Sequence, residues 1–239
     1  MKSCSKFVFM AALLVILLGL LQFVLPGTLA KVLEEQVTNA TGAQEVDLNL
    51  SSSPNFKIIA GYVDEVHGTA SLGRIGDFDF KQLTVDGEKV QVDVSELLFP
   101  TEGISAQEHT DKILKSVDKL ELHGIITAED LKNFIAKKVD RFDNAEVKIS
   151  PEGVEATGQI KIMGRMAEVE MAGVYIADGG DVYFRGTNLN VKNSLLRHVQ
   201  LDKFFGDVKV LNAENLPFNL QYDSVELRDN EILITAKLR

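Results

Sequence analysis

The sequence predicts an α+β fold: a curved antiparallel β-sheet, built as a meander of hairpins, wraps on a few helices behind an N-terminal transmembrane or signal helix. Three observations lead to this prediction. An apolar run lies near the N-terminus, apolar and polar residues alternate between turn signals along most of the chain, and two later segments have apolar residues three and four positions apart. Alternation is typical of strands with one buried face, and the wider spacing is typical of amphipathic helices.

The apolar run comprises residues 7–25 and contains one polar residue, Gln22. Lys2 and Lys6 precede it, and a positively charged start followed by an apolar stretch is typical of a secretory signal. The run is also about long enough to cross a bilayer. We therefore expect contact with the membrane through residues 7–25, and the N-terminal positive charge predicts export of the rest of the chain.

Residues 1–30 are predicted to be a signal peptide or a membrane anchor, and residues 31–239 a single exported domain. The residues that end at Ala30 form an acceptable signal-peptidase cleavage site. The sequence is therefore compatible both with cleavage after Ala30 and with retention of the segment as an anchor. In both cases the domain is expected in the periplasm or on the outer face of the cytoplasmic membrane. The only cysteine, Cys4, precedes the apolar run, which excludes cysteine chemistry and disulfides from the exported part.

The exported part is acidic. All 35 acidic residues follow Ala30, whereas two of the 25 basic residues precede it, so residues 31–239 carry a formal charge of −12. Nucleic-acid binding requires a basic face that neutralises phosphates. We therefore expect no nucleic-acid partner.

The exported part begins with helical spacing and continues with strands. Residues 28–42 ("TLAKVLEEQVTNATG") predict a short amphipathic helix, and residues 46–50 ("VDLNL") predict a half-buried strand. Turn residues then separate pairs of alternating segments, and each pair predicts a hairpin in one meandering sheet. These turns lie at Asp86–Gly87, Pro151–Gly153, Asp178–Asp181 and Asp229–Asn230.

Two helices are predicted to interrupt the sheet. The first covers residues 126–139 ("ITAEDLKNFIAKKV"), with Thr127 as the N-cap and Asp130 three residues later in a variant of the capping box. Its apolar face consists of Leu131, Phe134, Ile135 and Val139. The second covers residues 193–206 ("NSLLRHVQLDKFFG") and stops at Gly206.

One polar segment, "GYVDEVHG", contains the acid and base groups of metal sites and hydrolases: Asp64, Glu65 and His67. In an extended segment Asp64 and Glu65 point to opposite faces, so the favoured interpretation is a solvated start of a strand. Glu121 and His123 repeat the arrangement, and a metal-dependent hydrolase that uses His67 and His123 is the third interpretation. No serine-hydrolase, phosphate-loop or zincin motif is present, and no cofactor, metal or enzymatic activity is predicted.

The bulky apolar residues offer two interpretations. They can fill a solid core, or a sheet lined with helices can enclose a groove for a ligand. The residues predicted to line such a groove are Leu131, Phe134, Ile135, Phe204, Phe205, Leu216 and Phe218. A basic strip of Lys132, Lys137, Lys138 and Arg141 accompanies the first predicted helix. Lys137, Lys138 and Arg141 could contact phosphate headgroups, although such a strip is more often a solvated face.

The order of these segments resembles the LmeA-like phospholipid-binding family of exported bacterial proteins, across residues 29–239. The resemblance is carried by "VDLNLSSSP", "GYVDEVHGTA", "VDGEKVQVDVSELL", "ITAEDLKNFI", "VKISPEGVEATGQI" and "NLPFNLQYDSVELRDNEILITA". It implies an architecture similar to tubular lipid-binding domains, phospholipid binding outside the cytoplasm, and a role in maintaining the cell envelope without catalysis. It brings no signature residues that can be transferred one by one.

The leading expectation is a non-catalytic protein that binds phospholipid or another acyl lipid and holds the acyl chains in an apolar groove between helices and curved sheet. Affinity could then come largely from the chains, because each buried CH₂ contributes about 0.8 kcal/mol. The alternative is an envelope scaffold whose core is solid and whose surface binds a protein partner.

Overall fold

The structure is a computed structural model. It describes residues 27–238 except for residues 29, 32, 36, 39–41, 76–77, 99–100, 102–111, 139–141, 163–164 and 193–206. The predicted apolar run 7–25, the predicted second helix 193–206 and Val139 therefore lie outside the described residues. Within the described part, no helix combines the length and the apolar character needed to cross a membrane.

The described residues between 27 and 38 are helical, as their spacing predicts. The strands that follow are β1 (Glu45–Ser51), β2 (Tyr62–Ile75), β3 (Phe78–Val92), β4 (Leu114–Ser116), β5 (Lys119–Thr127), β6 (Phe142–Ser150), β7 (Gly153–Ile162), β8 (Arg165–Asp178), β9 (Asp181–Lys192), β10 (Val208–Leu211), β11 (Gln221–Arg228) and β12 (Glu231–Lys237). After the N-terminal helical segment, the described helices are α1 (Val94–Leu98) and α2 (Ala128–Lys138), with 3₁₀ turns at Asn55–Ala60, Ala213–Asn215 and Pro217–Asn219.

The strands form two sheets. The first has the order β1-β2-β3-β5-β12-β11, with β4 beside β3, and the second has the order β10-β9-β8-β7-β6. Every neighbouring pair of the second sheet is antiparallel, as are β5–β12 and β11–β12 of the first. The predicted fold of mostly antiparallel strands with few helices is confirmed, but the prediction of one meandering sheet is wrong.

Three of the four predicted turns connect hairpins. Ser150 pairs with Gly153 across the first turn, Asp178 with Asp181 across the second and Arg228 with Glu231 across the third. In the second turn Gly179 and Gly180 both have positive φ, 59° and 90°, a conformation that glycine adopts without steric cost. These turns were predictable because the residues that bend the chain also supply the conformation that the bend needs.

The predicted turn at Asp86–Gly87 is wrong, because β3 continues through both residues from Phe78 to Val92. Gly87 is buried in the strand, and a Cβ placed on it would lie 3.1 Å from Val90 Cγ2 and 3.4 Å from Leu120 Cδ1. The glycine therefore makes room for neighbouring side chains and does not turn the chain.

The described chain divides into two compact units. Unit 1 consists of the described parts of Met1–Ala40, Val46–Thr69 and Val85–Leu120. Its apolar core contains Ala30, Leu50, Ile58, Val63 and Val90. The N-terminal helical segment is also tied to β1 by polar contact, because Glu34 Oε1 accepts a 3.1 Å hydrogen bond from the backbone N–H of Leu48.

Unit 2 consists of the described parts of Thr41–Glu45, Ala70–Thr84 and Glu121–Arg239. In this unit β11 packs against β6, β8 and β9, and α2 packs against β6. The largest fully buried side chains of the described protein all belong to it: Phe78, Ile126, Leu131, Leu216, Ile232 and Val182. The prediction of a single domain over residues 31–239 stays a prediction.

Gly124→Ala is expected to destabilise the protein by about 1–3 kcal/mol, the usual cost of adding atoms to a packed core. Gly124 lies on β5, and its new Cβ would lie 2.5 Å from Cε1 of the buried Phe80 ring. Gly27→Ala is the control, because Gly27 is helical and, in the described part of the chain, its new Cβ has no neighbour within 4 Å outside its own helix and adjacent residues. Urea unfolding should give a lower midpoint for Gly124→Ala only, and equal midpoints would contradict the packing described here.

Candidate ligand-binding cavity

Unit 2 contains a cavity of about 570 Å³, within the range of small-molecule sites. It lies between α2 and the second sheet. Its walls are mainly apolar, and the lining residues are Leu131, Phe134, Ile135, Val154, Ala156, Met171, Tyr175, Phe184, Val208, Lys209, Val210, Asn212 and Asn215. Val208 is 56% exposed, so the cavity opens beside β10.

Helix α2 forms one wall and begins at a capping box. Thr127 donates its backbone N–H to Asp130 Oδ2 at 2.8 Å, and the backbone N–H of Asp130 donates to Thr127 Oγ1 at 3.2 Å. The spacing of Leu131, Phe134 and Ile135 then brings them to the same face. Phe134 also stacks on Phe78 of β3, with ring centroids 3.8 Å apart. The cap and the stack together fix this wall.

Strands β7, β8 and β9 form the opposite wall. Val154 and Ala156 are two residues apart on β7 and are both buried, and Ala156 pairs with Met171 of β8. Tyr175 pairs with Phe184 of β9, and their rings meet with centroids 5.2 Å apart.

Two features shape the aromatic part of this wall: a glycine that leaves space for the ring of Phe184, and the burial of the Tyr175 hydroxyl. A Cβ on Gly173 would collide with the ring of Phe184, so the absence of a side chain at Gly173 leaves room for that ring. Burial raises the pKa of the Tyr175 hydroxyl well above its usual range, because the phenolate would lie in an apolar environment. Tyr175 therefore stays neutral throughout the ordinary pH range.

The polar edge of the cavity is organised by Asp181. Its Oδ2 contacts Lys209 Nζ at 2.5 Å, and its Oδ1 accepts a 2.8 Å hydrogen bond from the backbone N–H of Ala213. Burial raises the pKa of Asp181, but the hydrogen bonds from Lys209 and Ala213 outweigh this effect and hold the pKa below its usual value. Asn212 donates to Glu214 Oε2 at 2.8 Å. The polar groups at this edge of the cavity are thus bonded largely to other groups of the protein.

The apolar residues predicted from the sequence divide into three groups. Leu131, Phe134 and Ile135 line the cavity. Leu216 is fully buried and Phe218 is half-buried, and neither is among the lining residues. Phe204 and Phe205 lie outside the described residues. Contact of all seven residues with lipid stays a prediction.

The predicted basic strip is described only in part. Lys137 donates to Asp79 Oδ2 at 2.8 Å, and Arg74 donates to Asp79 Oδ1 at 2.5 Å. The hydrogen bonds from Arg74 and then from Lys137 hold the pKa of Asp79 below its usual value. The side chain of Lys138 and the whole of Arg141 lie outside the described residues, and headgroup contact by the strip stays a prediction.

The lining residues of β7 to β10 were not predicted. Met171, Tyr175 and Phe184 lie in alternating segments, so their membership of strands was visible in the sequence. Alternation shows that a strand has two different faces, but it does not show which face borders a cavity and which borders a solid core.

The acid and base groups of residues 64–67 have separate partners, whereas His123 Nε2 lies 3.6 Å from Glu121 Oε2. Asp64 accepts from the backbone N–H of Ser53 at 2.7 Å, while Ser51 Oγ donates to Glu65 at 3.3 Å. His67 Nδ1 lies 2.6 Å from Asp86. In unit 2, His123 Nδ1 lies 3.1 Å from Thr235 Oγ1. Among the described residues, no group of three or more His, Cys, Asp or Glu side chains is arranged to hold a metal ion.

The fold and the cavity define the class: a protein of mostly antiparallel sheets in which a helix and a sheet border an apolar site, as in many proteins that bind apolar small molecules. A model of the LmeA-like phospholipid-binding family matches residues 20–237, nearly the whole chain. The protein therefore belongs to this family, and the resemblance inferred from the sequence is confirmed. Searches among curated proteins and among solved structures gave no significant match.

Thr127→Ala is expected to lower the free energy of unfolding by about 1 kcal/mol, because it removes the side-chain cap of α2. Thr127→Ser keeps the hydroxyl and should retain most of that stability. Chemical denaturation of the two variants checks this expectation. If both variants lose the same stability, the methyl group of Thr127 matters and the cap does not.

Asp181→Asn is expected to reduce stability at neutral pH by about 1–3 kcal/mol, since hydrogen bonds to a charged group are lost. Because folding lowers the pKa of Asp181 below its ordinary value of 3.8, its contribution is complete above about pH 5 and disappears as the pH falls through the folded-state pKa. Unfolding measured from pH 7 to pH 2 should therefore show a smaller acid-induced loss in the variant.

Asp207→Asn is the matched control, because Asp207 also pairs with a basic residue, Arg185, but the pair is more exposed. Exposed ion pairs contribute about 0–1 kcal/mol, so this control should change stability little at neutral pH. Equal losses at Asp181 and Asp207 would contradict a special role for the cavity edge.

Proposed function

We propose that this protein is a non-catalytic phospholipid-binding protein of the bacterial cell envelope, which holds acyl chains in the apolar cavity between α2 and the second sheet. The observation that carries the proposal is the cavity itself, open beside Val208 and lined mainly by aliphatic and aromatic side chains. Membership of a phospholipid-binding family supports the same class of ligand.

The energetics of the cavity favour an apolar occupant. Apolar side chains that face unfilled space lack packing contacts on that side, so filling the cavity of about 570 Å³ with apolar groups would be stabilising. Water compensates poorly at such walls, because it needs two to four polar partners in a site. An acyl chain makes the missing contacts, and each buried CH₂ contributes about 0.8 kcal/mol.

The polar groups at the cavity support binding without chemistry. Lys209 is paired with Asp181, and Asn212 is bonded to Glu214, so both are occupied by the protein itself. Tyr175 is held in its neutral form by burial. None of these groups has the partner arrangement of an activated nucleophile or a general base.

Photo-crosslinking tests the proposal. The full chain is incorporated into vesicles with phospholipids that carry a diazirine in the acyl chain, and the crosslinked peptides are identified by mass spectrometry. We expect crosslinks on peptides from β8 and β9, the strands that carry Met171, Tyr175 and Phe184. Crosslinks confined to residues 7–25 would contradict the proposal.

Ala156→Phe is expected to reduce crosslinking at β8 and β9 about tenfold, because the ring fills the cavity in which Ala156 lies. A tenfold change corresponds to about 1.4 kcal/mol of binding free energy. The measurement is the crosslink yield, together with urea unfolding to show that the variant is folded.

Glu155→Phe is the matched control, because Glu155 is exposed and adjacent residues of a strand point to opposite faces. It adds the same ring to the same strand outside the cavity and should leave the yield unchanged. If both variants bind lipid as the unchanged protein does, an envelope scaffold that binds a protein partner becomes the better explanation.

A further inference from the structure

Three exposed apolar residues lie within one seven-residue segment of unit 1, and we call them the apolar patch: Phe56, Ile59 and Tyr62. Their exposed fractions are 45%, 54% and 48%. Phe56 and Ile59 belong to the 3₁₀ helix Asn55–Ala60, which has three residues per turn, so the two side chains lie on the same side. Tyr62 begins β2 three residues after Ile59.

The other side of the same 3₁₀ helix is anchored in the core. Ile58 is 2% exposed and belongs to the core cluster that also contains Ala30, from the N-terminal helical segment. The 3₁₀ helix ends at Gly61, which has φ 81° and whose backbone N–H donates to Ile58 O at 2.9 Å. The burial of Ile58 and the hydrogen bond at Gly61 therefore hold the 3₁₀ helix, and with it the apolar patch, in place.

Only a few residues of chain separate the core of unit 1 from the predicted membrane segment. Gly27 follows Leu25, the last residue of the apolar run, by two residues, which span at most about 7 Å. Ala30 is three residues further along the helix, a rise of about 5 Å. The core cluster that buries Ile58 is thus within roughly 12 Å of chain from the end of the run. The polar layer on each side of the hydrocarbon is itself about 5–8 Å thick.

The burial of Ala30 also bears on the N-terminal segment. Ala30 is 5% exposed in the core of unit 1, so cleavage after it would remove a core residue and the start of the helical segment. The folded unit thus uses residues that a signal peptidase would discard. This favours a chain that stays joined to residues 7–25.

We propose that the apolar patch docks unit 1 on the lipid surface of the bilayer that residues 7–25 enter. Phe56 and Ile59 insert at the boundary between headgroups and acyl chains, and Tyr62 keeps its hydroxyl in the headgroup layer, as tyrosine does at membrane interfaces. The anchor makes this contact intramolecular, so a small apolar area is enough to orient the unit.

The area of the patch favours lipid over a second protein surface. Aromatic side chains bury roughly 150–250 Å² each when fully covered, so the half-exposed Phe56 and Tyr62 together offer roughly 200 Å², to which Ile59 adds a smaller area. A stable protein interface needs about 800 Å² on each partner. A lipid surface has no such requirement, because it adapts its shape to the inserted side chains.

Depth-dependent fluorescence quenching tests the docking. In a Cys4→Ser background of the full chain, Ile59→Cys carries a nitrobenzoxadiazole label, and the protein is incorporated into phosphatidylcholine–phosphatidylglycerol vesicles that contain acyl-chain nitroxide lipids. His67→Cys is the matched control, since His67 is exposed on the same strand as Tyr62 and lies about 16 Å further along it. We expect at least twofold stronger quenching at position 59 than at position 67.

A second variant removes the apolar character of the patch. Phe56→Glu together with Tyr62→Glu places charges at exposed positions, so the fold is retained, and quenching of the label at position 59 should fall to the level of the control. Equal quenching at positions 59 and 67, or quenching at 59 that survives the two glutamates, overturns the proposal. The label on residue 59 reports on unit 1 only. Failure of lipid binding in the cavity of unit 2 would therefore not change the result of this experiment.

Discussion

The contact between α2 and β3 is the constraint on which the cavity depends. Phe134 stacks on Phe78, and Lys137 donates to Asp79, so two successive residues of β3 hold two successive turns of α2. The helix also packs against β6 of the second sheet, so contacts with both sheets hold it beside the cavity. Leu131 is buried at the start of the helix, whereas Phe134 and Ile135 remain partly accessible. A fixed helix can therefore border unfilled space.

Local signals predicted much of the fold. The cap of α2 was visible because Thr127 and Asp130 supply both halves of it within four residues, and the turn at 178–181 was visible because its two glycines provide the positive φ. The turn expected at Asp86–Gly87 failed for a non-local reason. Side chains distant in sequence, Val66 and Leu120, occupy the space beside Gly87, and tertiary packing overrides the preference of the dipeptide for a turn.

The same distinction explains what was predictable of the site. Helical spacing predicted that Leu131, Phe134 and Ile135 line the site, because the apolar face of an amphipathic helix packs toward the protein interior. Tyr175 and Phe184 could be assigned to strands but not to a cavity, since the partition of the strands between two sheets depends on pairings over long sequence distances. A resemblance across the whole chain supplied the class of ligand, which no single residue indicates.

The mouth of the cavity is bordered by a short strand at the end of a sheet. β10 has four residues, and in the described part of the second sheet it pairs only with β9, with an irregular register after Lys209. Separating such a strand breaks few backbone hydrogen bonds, whereas separating β7 from β8 breaks a regular ladder along nine residue pairs. Opening at β10 would break these few backbone bonds and the Lys209–Asp181 pair, and such local openings cost less free energy than global unfolding. A molecule held in the cavity would accordingly enter and leave when β10 separates locally from β9. This would be much faster than exchange that requires global unfolding.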